Sequence, residues 1–311
     1  GGEKTTVAML QGLVKNEGDG WEWFLSQLER QFEEQGTGIR EQGTGKQGPG
    51  TRDEGLGSKG AKSIEAAGLL GLRTAEMHLA LATPTSDPAF RAEPFTAEDL
   101  TRDVLRMEEQ AASAFSALRA RLATLPEATA DEAAAVLARR RELLAGARSF
   151  GSGQAAGMRI RIHGDYHLGQ ILRVAAGPAG DFVILDFEGE PARPLAERRR
   201  KQSPLKDVAG MIRSFSYAAW FGMDRYRLLH KDEREETLLG RAQEWENSAR
   251  DAFLSAYWEA MAASGELLPA REQAEAQLAA YMLEKALYEL LYELNNRPQW
   301  VRIPLAGILC L

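Results

Sequence analysis

The chain has a single cysteine, Cys310, close to its last residue, so no internal disulfide can brace it. It has no apolar run of the roughly 18 to 20 residues that would cross a bilayer, and no basic-then-apolar segment opens it. Secretion and membrane insertion are therefore not expected, and a reducing cytoplasm is the simplest setting. Positive charge is also short: 38 Lys and Arg stand against 45 Asp and Glu, a net charge of −7. Nucleic acids and membrane surfaces are both met by a positive face, so neither is expected as a partner. An anionic ligand must be met by local groups or by a metal.

What remains is ample for a core. With 311 residues, 44% of them hydrophobic, the chain can form one large domain or two smaller ones. Residues 5–14 are β-branched and apolar and read as a strand whose partners lie upstream, followed by a turn at 16–20. The spacing of Trp21, Phe24, Leu25, Leu28 and Phe32 predicts a helix over 21–34. Residues 35–60 turn to Gly, Gln, Thr and charge, with Glu-Gln-Gly-Thr-Gly appearing twice. That stretch reads as a flexible insertion with no structure or site. Helical patterns follow at 63–82, at 96–125 with good capping chemistry from Thr96 to Asp99, and at 130–150. Short strands are expected at 158–162, 170–174 and 182–185, and helices at 205–220, 233–263 and 270–295. The fold class is α+β, mostly α: a helical lobe over 61–311 with a small β element at 158–190.

The chemistry clusters on that β element. His163-Gly164-Asp165-Tyr166-His167-Leu168-Gly169-Gln170 forms a polar loop between two apolar strands, and Asp186-Phe187-Glu188-Gly189-Glu190 follows the next strand. Phosphoryl transfer uses a carboxylate to orient or deprotonate the attacking hydroxyl, and oxygen ligands for the magnesium on the phosphates. Asp165 fits the first role, Gln170 and Asp186 the second. Any one of these pieces alone is a weak signal; their spacing together is fairly specific.

These residues, with residues 184–191, 198–211 and 296–305, resemble the aminoglycoside-phosphotransferase branch of the protein-kinase-like fold, and more narrowly the maltokinases. The resemblance covers nearly the whole chain outside the Gly-rich stretch. It implies transfer of the γ-phosphate of ATP to maltose, with Mg2+ and ATP as cofactors. Residues 10–21 are similar to the family's hinge, which implies that Gln11, Leu13 and Val14 bind the nucleotide. The family's N-lobe supplies a phosphate-covering loop and a Lys–Glu pair, and nothing before the hinge-like residues 1–20 can do so. The resemblance thus implies a C-terminal lobe with the N-lobe missing. Family members also occur fused to a trehalose synthase, which makes such an enzyme a candidate covalent or associated partner.

Sugars are held by aromatic faces and by carboxylates. Tyr281, Glu284, Tyr288, Tyr292 and Asn295 share one helix face by their 3- and 4-residue spacing, and with His163, His167 and Glu188 they form the expected acceptor set. Other readings stand beside these. The Asp165 loop could consist of turn residues only, His163 could brace the loop, and the Tyr stripe could be core. His163-x-Asp165-x-His167 could belong to a metal site, although only His78 and His230 remain to complete it. Arg198 to Lys201 could touch phosphates or form a solvated face, Asp207 could cap a helix or anchor the loop, and Trp300 is expected in the core. A related kinase acting on another sugar or an aminoglycoside, or a kinase remnant without activity, are the alternative functions.

Overall fold

The apolar repeat Phe24, Leu25, Leu28 and Phe32 is buried along helix α1 (Gly20–Gln42) in the computed structural model, which describes residues 12–42, 58–151, 157–177 and 180–311. α1 continues to Gln42, past the expected end at 34. Glu, Gln and Arg favour a helix there, against about 1 kcal/mol for each glycine. Most of the expected first strand and residues 43–57 lie outside the described residues, and residues 12–16 have no regular structure. Helix α2 (Ser58–Leu81) follows, then the two-residue strand β1 (Glu93–Pro94).

Thr96 caps α3 (Ala97–Arg121): its hydroxyl accepts the Asp99 N–H at 3.2 Å, and the Asp99 carboxylate accepts the Thr96 N–H at 3.1 Å. A 3-10 turn (Leu122–Thr124) leads to α4 (Glu127–Gly151), which starts directly after Pro126. Proline's fixed φ suits a helix start. The expected strand at 158–162 shrinks to β2 (Met158–Arg159), because its antiparallel partner β1 is two residues long and the pairing ends where Glu93 stands opposite Arg159. Ile160 bridges instead to Gln202. The hairpin β3 (Ile171–Val174) and β4 (Asp181–Ile184) forms as expected. On its outer side the Arg173 N–H donates to Gly18 O at 3.0 Å and the Glu17 N–H to Arg173 O at 2.7 Å, so the hinge-like segment lies along β3.

The short helix α5 (Leu195–Arg198) precedes α6 (Leu205–Leu229), α7 (Glu235–Met261) and α8 (Arg271–Asn296). A 3-10 turn (Pro298–Trp300) and α9 (Arg302–Leu309) complete the chain. α6 is buried on most of its faces and forms the axis of one core with α1, α2, α7 and the hairpin. A second core joins α3, α4 and α9 to the C-terminal half of α8. The loop with Asp165 and the turn with Asp186 stand at the end of the hairpin, over α6. Among the described residues, no helix is long and apolar enough to cross a membrane.

Candidate active site

Three positions on α6 hold the Asp165 loop. Asp207 accepts the backbone N–H groups of His163 at 2.8 Å and Gly164 at 2.9 Å. A Cβ at Gly210 would stand 2.7 Å from the Tyr166 carbonyl oxygen, so helix and loop can touch only because the residue is glycine. One turn further, the Ser214 hydroxyl accepts the Leu168 N–H at 3.0 Å. The 3- and 4-residue spacing of 207, 210 and 214 puts all three on one face.

His163 braces this loop. Its Nδ1 accepts the Asp165 N–H at 3.3 Å, its Nε2 donates to the Leu185 carbonyl at 2.6 Å, and its ring packs against Tyr166 and Phe187. Both nitrogens are occupied, which corrects the expectation that His163 contacts an acceptor and takes it out of a His-x-Asp-x-His metal set. Among the described residues, no group of three His, Cys, Asp or Glu could hold a metal ion. His167 lies closer to the open side. Burial pushes its pKa below the usual histidine value, helped by Lys285 and His163 and opposed by Asp165 and Asp186. Its Nδ1 accepts the Gly169 N–H at 3.1 Å, so the neutral ring carries its proton on Nε2.

Gln170 and Asp186 are brought together. The Leu185 N–H donates to the Gln170 carbonyl at 2.9 Å, and Gln170 Nε2 donates to Asp186 Oδ2 at 3.0 Å. Asp186 has φ +60°, a left-handed backbone that Asp adopts more readily than most residues. A carboxylate and an amide oxygen fit magnesium, which commonly takes one or two protein oxygens and completes its shell with water and phosphate. Of the expected nucleotide residues, Leu13 is 94% exposed, Val14 is half-buried, and Gln11 lies outside the described residues.

Two cavities meet at Asp165, and Glu190, Lys285 and Tyr288 line both. The inner one is small, about 90 Å³, and is walled by a buried ion cluster. There Glu284 pairs with Arg106 at 2.9 Å and Lys206 at 3.1 Å. Burial raises the Glu284 pKa, but the two cations outweigh it and bring it down to about 2. The Lys206 ammonium also falls below its usual range, because its own burial and the nearby Arg106 outweigh Glu284 and Asp103. Tyr281 is buried beside this cluster, with Lys206 4.8 Å from its ring centre. The expected stripe on α8 therefore divides. Tyr281 and Glu284 form the wall of the inner cavity, their polar groups tied to protein partners, whereas Tyr288 and Tyr292 line the outer one. Asn295 is turned to its own helix, donating to Leu291 O.

The outer cleft, about 780 Å³, opens between the start of α1, α6, α8 and the 3-10 turn at Pro298–Trp300. Its aromatic lining runs from Trp21 through Phe221 to Trp300, with ring centres 5.4 and 4.6 Å apart. Arg297 lies over Trp300 at 4.0 Å and over Tyr292 at 4.9 Å. Trp300 thus lines the cleft and does not sit in the core. Three carboxylates join Asp165. Glu293 accepts from Tyr217 at 2.9 Å and pairs with Arg297 at 2.7 Å, Glu289 pairs with Arg213 at 2.8 Å, and Glu190 accepts from Tyr288 and from Arg193 at 2.7 Å. Burial works to raise the Glu190 pKa, but the Tyr288 and Arg193 hydrogen bonds outweigh it and hold the carboxyl below its usual range. Glu188 is exposed and lines neither cavity, so Glu190 replaces it as the carboxylate of this turn that faces the cleft.

No protein-family model matches the chain. Over 305 residues it is 26% identical to the glucosamine kinase of Streptacidiphilus jiangxiensis, which spans 96% of this chain and 55% of that protein. Over 147 residues it is 29% identical to the glucosamine kinase of Mycolicibacterium smegmatis, across 47% of this chain and 33% of that protein. The solved structure of a glucosamine kinase in complex with glucosamine, ADP and inorganic phosphate superposes with a TM-score of 0.68 at 23% identity, covering 94% of this chain and 57% of that one. A second crystal form superposes equally well, covering 58% of its chain. The chain shares the fold of these kinases. It spans about half the length of the first relative and a third of the second.

Sequence reasoning missed the carboxylates Glu190, Glu289 and Glu293, the cation Lys285, and the aromatic residues Trp21, Phe221 and Trp300 of the cleft. Glu289 and Glu293 carried a usable signal: they are neighbours of Tyr288 and Tyr292 at a 4-residue spacing on one helix face. Glu190 carried none, because its partner Tyr288 lies 98 residues away.

Proposed function

We propose that this chain is the acceptor-binding and catalytic part of an ATP-dependent sugar kinase, with Asp165 as the base and an amino sugar, glucosamine, as the acceptor. The observation that carries the reading is that Asp165 lines an aromatic cleft rich in carboxylates, while His163 ties its loop to Leu185, the residue before the Asp186 that meets Gln170. In the transfer, the sugar hydroxyl oxygen bonds to the γ-phosphorus while the bond to the bridging oxygen of ADP breaks. Asp165 takes the hydroxyl proton, and His167, kept neutral, can hydrogen-bond a sugar oxygen through Nε2. Gln170 and Asp186 are the residues that would hold magnesium, whose chemistry there is to neutralise phosphate charge. Lys285, between the two cavities, adds positive charge on the same side. Glu190, Glu289 and Glu293 favour a cationic acceptor, and the glucosamine kinases among its relatives support that choice.

Maltose is the second reading. The length of the aromatic run from Trp21 to Trp300 suits two sugar rings, and the arginines opposite each cleft glutamate reduce the pull on an ammonium group. The test is ADP release by the full-length gene product with glucosamine, maltose, glucose and kanamycin. Glucosamine-dependent turnover that drops by about 10²- to 10⁴-fold in Asp165→Asn is expected. Turnover with maltose alone selects the second reading. Nucleotide binding without turnover on any sugar points to a non-catalytic role, such as a remnant regulating an attached trehalose synthase, and overturns the proposal.

A further inference from the structure

The chain as a whole is acidic, yet on neighbouring segments beside the Asp186 turn five arginines stand without carboxylate partners. One segment presents Phe90 and Arg91 on a turn fixed by Asp87. The Asp87 carbonyl accepts the Phe90 and Arg91 N–H groups at 3.1 and 3.0 Å, and its carboxylate accepts the Ala89 N–H at 2.8 Å. Lys201 ties this turn to the run Arg198-Arg199-Arg200 by donating to Pro88 O at 2.6 Å and to the Glu93 carboxylate. Between the two lies Arg161, half-buried, its guanidinium 5.8 Å from the Phe90 ring centre and donating to Arg199 O at 2.6 Å. Among the described residues, Arg91, Arg161, Arg198, Arg199 and Arg200 form no ion pair. The carboxylates of the same stretches are taken: Asp87 by its own turn, Glu93 by Lys201 and Arg159, Glu190 and Glu197 by Arg193. Glu188 is exposed, and its backbone carbonyl rather than its carboxylate meets Arg198, at 3.3 Å. Burial, and then the nearby Arg199, hold the Arg161 guanidinium below its usual range. Like charges this close repel in the free protein, and an incoming anion removes that cost.

We propose that this face docks an acidic segment of a partner protein, with Arg91, Arg161 and Arg199 meeting its carboxylates and Phe90 packing against an apolar side chain among them. The guanidiniums do not converge on one point. Arg161 lies against Phe90, Arg198 reaches the Glu188 carbonyl, and Arg200 lines a small recess with Phe95 and Arg159. A single phosphate draws its donors together, whereas the carboxylates of a peptide come at intervals. Composition points the same way. Arginine and aromatic residues are enriched where proteins meet and lysine is depleted. Here Phe90 is 51% exposed among arginines, and the one lysine of the run is committed to Glu93 and Pro88. A nucleic acid would meet the chain's net charge of −7. The turn at Asp87 is already held, so docking needs little ordering of the loop. The proposal goes beyond the sugar-kinase reading and does not depend on it.

Fluorescence anisotropy of a labelled oligoglutamate peptide, titrated with the full-length protein, tests the proposal. Binding is expected at low salt and should weaken as added salt shortens the screening length, while an oligolysine peptide should not bind. Reversing two exposed charges, Arg91→Glu with Arg199→Glu, should weaken binding by roughly 10-fold or more, and Phe90→Ala by roughly 5-fold. The same reversals at Arg119 and Arg121, exposed at the far end of α3, should leave it unchanged. Arg161→Met keeps an apolar stem over Phe90 and removes the charge. It should weaken binding while leaving the urea midpoint of the free protein equal or higher, a combination that a purely structural Arg161 would not give. No binding of oligoglutamate at low salt overturns the proposal, as does an equal loss in the Arg119 and Arg121 control. A lower urea midpoint in Arg161→Met with binding unchanged does the same. Displacement of the peptide by inorganic phosphate at equal concentration would make this a small-anion site, and a dimer in sedimentation that the Arg91 and Arg199 reversals dissolve would make the occupant a second copy; either overturns the acidic partner. Because the assay reads binding, failure of sugar turnover would sink the kinase reading and leave this result standing.

Discussion

Single hydrogen bonds set much of the site. The Tyr288 hydroxyl donates to Glu190 where the two cavities meet, and the carboxylate raises the Tyr288 pKa further than burial alone does. Tyr288→Phe should leave kcat nearly unchanged and raise the acceptor KM by roughly 10-fold, the cost of one hydrogen bond to a charged group; steady-state kinetics against the acceptor would check this. An unchanged KM would mean that Glu190 and Tyr288 hold only each other. At this scale the sequence was legible where chemistry is local. Gln170 and Asp186 flank one hairpin, which brings their side chains together. It was not legible where a partner is distant. His163 looked like a ligand until the Leu185 carbonyl took its Nε2, and Glu284 looked like a sugar contact until Arg106 and Lys206, from two other helices, enclosed it.

Among the elements, α6 does the most. It carries Asp207, Gly210 and Ser214 under the loop on one face, and Tyr217 and Phe221 into the outer cleft further along. Gly210→Ala would place a methyl group against the Tyr166 carbonyl and force the loop away. A stability loss of about 1–3 kcal/mol is expected from such overpacking, together with a fall in kcat, and urea unfolding alongside the sugar assay would measure both. If kcat holds while stability falls, the loop tolerates displacement, and its close contact with α6 is packing alone. Long periodic helices such as α3, α7 and α8 were legible because each has a clear apolar face and α3 has a marked start at Thr96. Short strands were less so. Their length is set by the partner, and neither the two-residue β1 opposite β2 nor the bridge from Ile160 to Gln202 is written into residues 158–162 themselves.

Across the whole molecule, carboxylates held below their usual pKa tie stability to pH. Glu284, Glu190, Asp99 and Asp181 all have lowered values in the folded chain, and Glu284 reaches about 2. A depressed folded value means that the unfolded chain takes up protons first as the pH drops. The stability these groups contribute is therefore present above about pH 4.5 and lost progressively below it. Urea unfolding midpoints should hold steady above that range and fall toward pH 3, and Glu284→Gln should flatten the acid limb. At pH 7 the same variant should cost about 3–5 kcal/mol, because Lys206 would lose its buried ion-pair partner and Arg106 would keep only Asp103. A flat profile in the wild type would contradict the depressed carboxylates. The anchoring of the Asp165 loop has a thermodynamic side as well. Backbone ordered against α6 loses its conformational entropy when the chain folds. On the proposed reading, an incoming sugar then meets a base already in place, and its contact energy can go into binding instead of into ordering the loop.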